Sequence, residues 1–395
     1  MDTLIQSVSD VIHLDKYMTG HDKYQRFEAV DQVLNQDFYD KDKIITGQDK
    51  RMNSALKAYV DAIGDPYTIY MDPVSQSWFE DSLRGEADFE GIGAVVRKKE
   101  YYVLVEEVLK DSPAFKAGIK PLDRIISVDS GSVKDLDINE AVNKIKWPEW
   151  TEVHLLIERV ARRDEKKREL LDITVTREKL LIPSVRSKIL TWANNTKIGY
   201  IDIAIIGEET ESLFQRELLL LKEQWVQWLI LDLRWNGGGY LTVWVQIASH
   251  FIPKGEQIVS AKYRIRDPET YVSQGFADWE GKPVVVLIDE MTASAWEIIA
   301  MALQEQIGAK LIGTNSFGKG SIQTMKVFDD GASLKYTIGK WYSPSGKNID
   351  KIGIKPDVEV KLDVDKYVDE DVDTQLEKAK TVLGQIVLSK NKNQP

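Results

Sequence analysis

The chain contains no cysteine. Disulfides, thiolate nucleophiles and cysteine-ligated metal centres are therefore excluded. Histidine is scarce as well: His13, His21, His154 and His250 are scattered, with no metal-ligand spacing among them. Neither a metal ion nor a cofactor is expected. No stretch approaches the roughly 18 apolar residues of a membrane-spanning helix, and the N-terminal region lacks the apolar core of a signal peptide. The expectation is a cytoplasmic protein, or one whose targeting segment lies upstream. Positive charge is also in deficit, with 52 basic against 63 acidic residues and a net charge of −11. That balance argues against nucleic acid or an anionic membrane surface as the main partner.

What is present is ordinary globular material: 395 residues, 43% hydrophobic and 29% charged, enough for two to three domains with cores of their own. Residues 1–85 carry helix-period patterns over Glu28–Leu34 and Asp49–Ile63, the second ending at Gly64 before the Asp65-Pro66-Tyr67-Thr68 turn, and read as a helical packing module. From residue 86 the pattern changes to strands at Tyr102–Val108, Asp123–Asp129, Val153–Glu158 and Leu171–Arg177. A short helix with a glycine stop, Ser112–Gly118, and a longer one, Leu136–Ile145, lie between them. From about residue 181 strands and helices alternate: Ile198–Ala204, a helix over Glu208–Gln224, Leu229–Arg234, Asn236-Gly237-Gly238-Gly239-Tyr240, and a helix over Val243–Phe251. This predicts a layered α/β or α+β core. A last helix is expected over Asp373–Val387.

The most informative stretch is 282–324. Val284–Ile288 reads as a buried strand, ending in an acidic pair and the small-residue turn Thr292-Ala293-Ser294-Ala295. A helix runs over Glu297–Ile307 to a C-cap glycine, Gly308. A second strand, Ala309–Thr314, leads into the turn Phe317-Gly318-Lys319-Gly320, and a third starts at Ser321 and carries Gln323. A serine on a strand-to-helix turn, followed one strand later by a lysine on a tight turn, suits a serine nucleophile with a lysine base. Each residue alone has a plainer reading. Serines after strands usually cap helices, and a lysine between glycines is usually a solvated turn residue.

Two runs of motifs carry a family resemblance. SPAFKAGIKPLDRIISVD, with FEGIGA ahead of it, resembles a PDZ domain. The GDPYT turn, LDLRWNGGGY, TASAWEI, FGKGSIQT, WYSPSGKNI and GIKPDVEV resemble the S41 serine peptidases, specifically the C-terminal processing peptidases, over nearly the whole chain. The resemblance implies an α+β multidomain protein: an N-terminal helical region (1–85), a PDZ-like β-rich module (86–180), a layered α/β, crotonase/ClpP-like S41 peptidase core (181–361), and a C-terminal helix and tail (362–395). It implies Ser294 as nucleophile, Lys319 as general base and Gln323 as the residue orienting the lysine. The oxyanion would be held by the backbone N–H of Ala295 and of the glycine turn, nominally Gly238, with Gly237 and Gly239 as alternatives. Gly91, Ile92, Gly93 and Ala94 would bind a peptide C-terminal carboxylate, since glycines let successive amides converge on an anion. The expected activity is a serine endopeptidase acting on protein or peptide substrates with free C-termini. The expected location is extracytoplasmic, near a membrane through an upstream segment, with a homo-oligomer open. The alternative is a non-catalytic PDZ scaffold or pseudoprotease that binds C-terminal peptides.

The eleven tryptophans are oddly placed. Trp147 and Trp225 follow helices where a C-cap glycine is expected, Trp147-Pro148-Glu149-Trp150 forms a turn, and Trp228 opens a buried strand. Trp235 adjoins the glycine turn, and Trp296 lies two residues after Ser294. The plain reading is ordinary core aromatics. The alternative is that these codons are UGA, read as glycine by the source organism and translated here as tryptophan.

Overall fold

In this computed structural model the described residues are 23–46, 48–83, 88–99, 101–108, 112–121, 123–136, 138–146, 150–160, 168–181, 184–203, 209–235, 241–363, 366–367, 370 and 372–392. The predicted glycine turn 236–240 and Trp147 lie outside them. The chain divides into two compact units, residues 1–76 with 323–337, and residues 77–322 with 338–395.

The first unit contains helices Lys23–Asp37 and Gln48–Asp61, where the apolar periodicity placed helical structure, with the short helix Lys41–Thr46 between them. The chain then turns at Gly64, with φ +77°. Asp65 fixes the following turn by accepting from the Tyr67 amide (3.1 Å) and the Thr68 hydroxyl (2.7 Å). The short strand Ile69–Met71 pairs antiparallel with Ser333–Lys335, and the Thr337 amide donates to Thr68 Oγ1 at 3.2 Å. The GDPYT motif therefore serves as a structural bracket for a strand 269 positions away in sequence.

Two six-stranded sheets of the second unit have separate cores. The first is antiparallel, in the order Ala94–Lys99, Tyr102–Val108, Arg124–Val128, Glu152–Val160, Arg168–Thr176. Val103, Val105, Ile125, Leu155 and Ile157 point to one face and are fully buried beneath helix Ile138–Lys146, as period-two alternation requires. Pro113–Lys116 forms a one-turn helix: Ser112 Oγ accepts from the Phe115 amide at 3.2 Å, and Gly118 (φ +80°) ends the turn.

The other sheet has the order Val185–Trp192, Thr196–Ile203, Leu229–Asp232, Val284–Ile288, Lys310–Gly313, Val358–Glu359; the first pair is antiparallel and the rest parallel. Both faces are covered, which explains why Val284–Ile288 is an unbroken apolar run instead of an alternating one. Val284, Val286 and Ile288 pack under helices Thr210–Glu223, Leu241–Ser249 and Ala295–Ile307. Val285 and Leu287 face the C-terminal helix Thr374–Lys392 through Leu376, Ala379, Val382 and Leu383. The layered α/β core is thus a three-layer sandwich. Strands Val185–Trp192, Gln257–Tyr263 and Glu269–Val272 are additions to the expected element list.

Candidate active site

Ser294 sits where strand Val284–Ile288 hands over to helix Ala295–Ile307. Its backbone is at φ 58°, ψ −116°, a conformation that costs a non-glycine residue about 1–3 kcal/mol and persists only where the surroundings impose it. The surroundings here do so. Asp289 Oδ1 accepts from the amides of Met291 (3.1 Å) and Thr292 (3.0 Å), and Thr292 Oγ1 donates to the Leu233 carbonyl at 2.9 Å. Burial pushes the Asp289 carboxyl up to about 6, and the neighbouring Glu290 adds to the rise. Asp289 Oδ1 also accepts the Trp235 amide at 3.2 Å, so one carboxylate anchors both the serine turn and the end of the Leu229–Trp235 segment.

The lysine turn is held from several sides. The Phe317 amide donates to the Thr292 carbonyl at 3.0 Å, the Lys351 amide to Gly318 O at 2.8 Å, and the Trp341 indole N–H to Lys319 O at 2.9 Å. The two glycines flanking Lys319 are there for space. A Cβ on Gly318, which has φ +91°, would lie 2.7 Å from the Gly353 nitrogen, and one on Gly320 would lie 2.7 Å from the Asp350 nitrogen. Lys319 itself is half-buried.

Glu297 joins the two turns. It is fully buried on the first turn of helix Ala295–Ile307. Its Oε2 accepts the Ser294 amide (2.8 Å) and the Lys319 amide (2.9 Å), while Oε1 accepts the Gly318 amide (2.7 Å) and the Ser316 hydroxyl (2.5 Å). Burial raises its pKa, against the opposing pull of these four donors. Sequence reasoning did not single out this residue, although Ser294-x-x-Glu297 has the spacing of a capping box.

The predicted residues divide as follows. Ser294 and Lys319 are brought together through Glu297. Ala295 is the first residue of the helix, so its N–H has no acceptor one turn back. Gln323 lies in strand Ser321–Val327, and its Nε2 donates to Thr337 Oγ1 at 3.3 Å. Gly91 ends strand Asp88–Gly91, Ile92 and Gly93 (φ +77°) are buried, and Ala94 opens the next strand. The Ile92 carbonyl accepts the Ala114 amide at 2.7 Å, which fixes this loop to the SPAFKAG segment. Among the described residues no cluster of metal-ligating side chains occurs.

Residues 197–360 match the model of peptidase family S41, and residues 91–175 that of the PDZ domain. The carboxy-terminal processing protease CtpA of Bacillus subtilis (strain 168) is 34% identical over 354 residues, covering 90% of this chain and 72% of that protein. CtpB of the same organism is 32% identical over 341 residues, with coverages of 85% and 67%. Among solved structures, a photosystem II D1 C-terminal processing protease superposes with a TM-score of 0.63 at 25% identity, covering 91% of this chain and 96% of that one. The chain belongs to peptidase family S41. It is a serine-type peptidase of the C-terminal processing kind with a PDZ domain ahead of its catalytic core.

Proposed function

We propose that Ser294 is the nucleophile and Lys319 its general base, with Gln323 orienting the lysine. The observation that carries this reading is the single Glu297 oxygen shared by the Ser294 and Lys319 amides, which registers one turn on the other. A neutral Lys319 takes the hydroxyl proton as Ser294 Oγ attacks a substrate carbonyl. The tetrahedral oxyanion is met by the Ala295 N–H and by an amide of the 237–239 turn, nominally Gly238. Each such donor is worth about 100- to 1,000-fold in rate. The proton passes to the leaving amine, and water, deprotonated by the same lysine, releases the acyl-enzyme.

The loop Gly91-Ile92-Gly93-Ala94 takes the substrate's terminal carboxylate on its amides, and the tail adds along the neighbouring strand edge. Substrates are then proteins or peptides with free, extended C-termini. We further place the protein outside the cytoplasm, close to a membrane.

The test is cleavage of an unstructured protein with a free apolar C-terminus, and of the same protein with an amidated terminus. The parent cuts the first much faster, and Ser294→Ala and Lys319→Ala abolish cutting. Variants as active as the parent overturn the dyad. A parent that binds tail peptides but never cuts is a PDZ scaffold.

A further inference from the structure

We propose that Glu297 is a positioning residue for the reaction, acting as a rigid brace between the two catalytic turns; this rests on the Ser294–Lys319 reading. A helix N-cap needs only one acceptor at this position, and the Ser294 amide alone satisfies that requirement. Glu297 does more. Three of its four donors come from the lysine turn, 19 to 22 residues further along the chain. A carboxylate is the side chain with enough lone pairs for four donors and no donor of its own to misplace. Bonds to a buried charge are short and stiff, so a shift of either turn is resisted by the other. Ser316 extends the brace. Its hydroxyl donates to Glu297 and accepts the Ile354 amide at 2.6 Å, fixing the far wall as well.

Glu297→Gln keeps the shape but turns an NH2 group toward two N–H donors. The expected result is a fall in kcat of about 10- to 100-fold, the scale of an ångström-level misplacement of reacting groups. KM for a tailed protein and affinity for a tail peptide stay within about twofold, because binding energy is gathered elsewhere. The rate at which a serine-directed phosphonofluoridate labels Ser294 falls in parallel. Glu297→Asp, too short to reach both turns, behaves like the Gln variant. Ser316→Ala removes one donor only and gives a smaller loss of kcat; it serves if the Glu297 variants fail to fold. A folded Glu297→Gln variant with parental kcat and labelling rate overturns the brace while leaving the dyad intact. Activity surviving in Ser294→Ala overturns the dyad itself.

A different observation carries a second inference. Trp150, Trp225 and Trp235 have φ of +61°, +62° and +66°, the left-handed region that bulky residues avoid and glycine enters freely. Trp150 and Trp225 gain nothing there by burial, being 71% and 84% exposed. Trp225 follows helix Thr210–Glu223 with its amide bonded to the Lys222 carbonyl at 3.0 Å, in the manner of a helix-ending glycine. Trp296 is fully buried one residue before Glu297, and its indole Nε1 has no hydrogen-bond partner among the described residues.

We infer that positions 150, 225, 235 and 296 are glycine in the protein its organism makes, through UGA codons read as glycine. Replacing Trp150, Trp225 and Trp235 by glycine raises Tm by about 2 °C or more per site, the scale expected for relieved backbone strain. Glycine at 296 as well raises peptidase activity. The gene shows UGA at these positions, and tryptic peptides of the native protein carry glycine. UGG codons, or glycine variants that are no more stable than the parent, overturn the inference.

Discussion

The Arg234 guanidinium meets the Asp373 carboxylate at 2.7 Å, across 139 positions of sequence and inside the protein. The same guanidinium binds Asp232 (Nη2 to Oδ2, 2.6 Å) and Gln375 Oε1 (2.8 Å), and Tyr200 donates to Asp232 Oδ2 at 2.7 Å. The surrounding carboxylates hold the arginine well above its usual range, against its burial. This network ties the end of strand Leu229–Asp232, just ahead of the glycine turn, to the start of the C-terminal helix.

Arg234→Met should therefore cost about 3–5 kcal/mol, because it strands the buried Asp232 carboxylate and the half-buried Asp373 carboxylate. Adding Asp232→Asn and Asp373→Asn should recover part of that loss. Urea denaturation of the three proteins measures both effects; additive losses would show that the charges do not interact.

Stability should carry a signature of Asp289. Its folded pKa of about 6 lies above the roughly 3.9 of an unfolded aspartate, so the folded state holds the proton more tightly. The stabilisation from that proton is complete below about pH 4 and is lost as pH rises through 6, roughly 3 kcal/mol in all. Asp289→Asn does not titrate, so the gap between parent and variant should change by that amount between pH 4 and 7. Denaturant midpoints across that window check it.

Gly320→Ala should displace the lysine turn. The new methyl would press on the Asp350 nitrogen and Asn348 Nδ2, both 2.7 Å away. We expect a loss of about 1–3 kcal/mol from overpacking and at least a tenfold fall in kcat. A variant with parental kinetics would mean that the turn can yield without consequence.

Gly93→Val, at φ +77°, should distort only the loop proposed to take the substrate's terminal carboxylate. KM for a tailed protein should rise about tenfold with kcat on a short peptide unchanged, and a labelled tail peptide should lose affinity to a similar degree.

Much of this molecule was legible in its residues because local rules and tertiary demands agree. Val284–Ile288 is uniformly apolar because both faces of its sheet are covered, and Gly308 ends its helix at φ +68° as a C-cap glycine does. Glu297 escaped notice because a capping box explains its spacing completely; its three other donors come from a turn that no local pattern connects to it. The Arg234–Asp373 pair is beyond any periodicity argument for the same reason. Val185–Trp192 and Gln257–Tyr263 were missed because lysines and serines interrupt their apolar residues, and pairing to neighbouring strands is what makes them strands.

The lysine turn leans on residues 348–354: Gly318 and Gly320 lie against Asn348, Asp350, Ile352 and Gly353, and Ser316 bonds Ile354 in both directions. During synthesis the ribosome releases Ser294 and Lys319 before it releases that wall. A nascent chain at that stage has Glu297 and Ser316 to join the two turns but lacks the residues against which Gly318 and Gly320 pack. A chain truncated ahead of residue 348 would therefore carry Ser294, Lys319 and the Glu297 that joins their turns, but not the wall that backs the lysine turn.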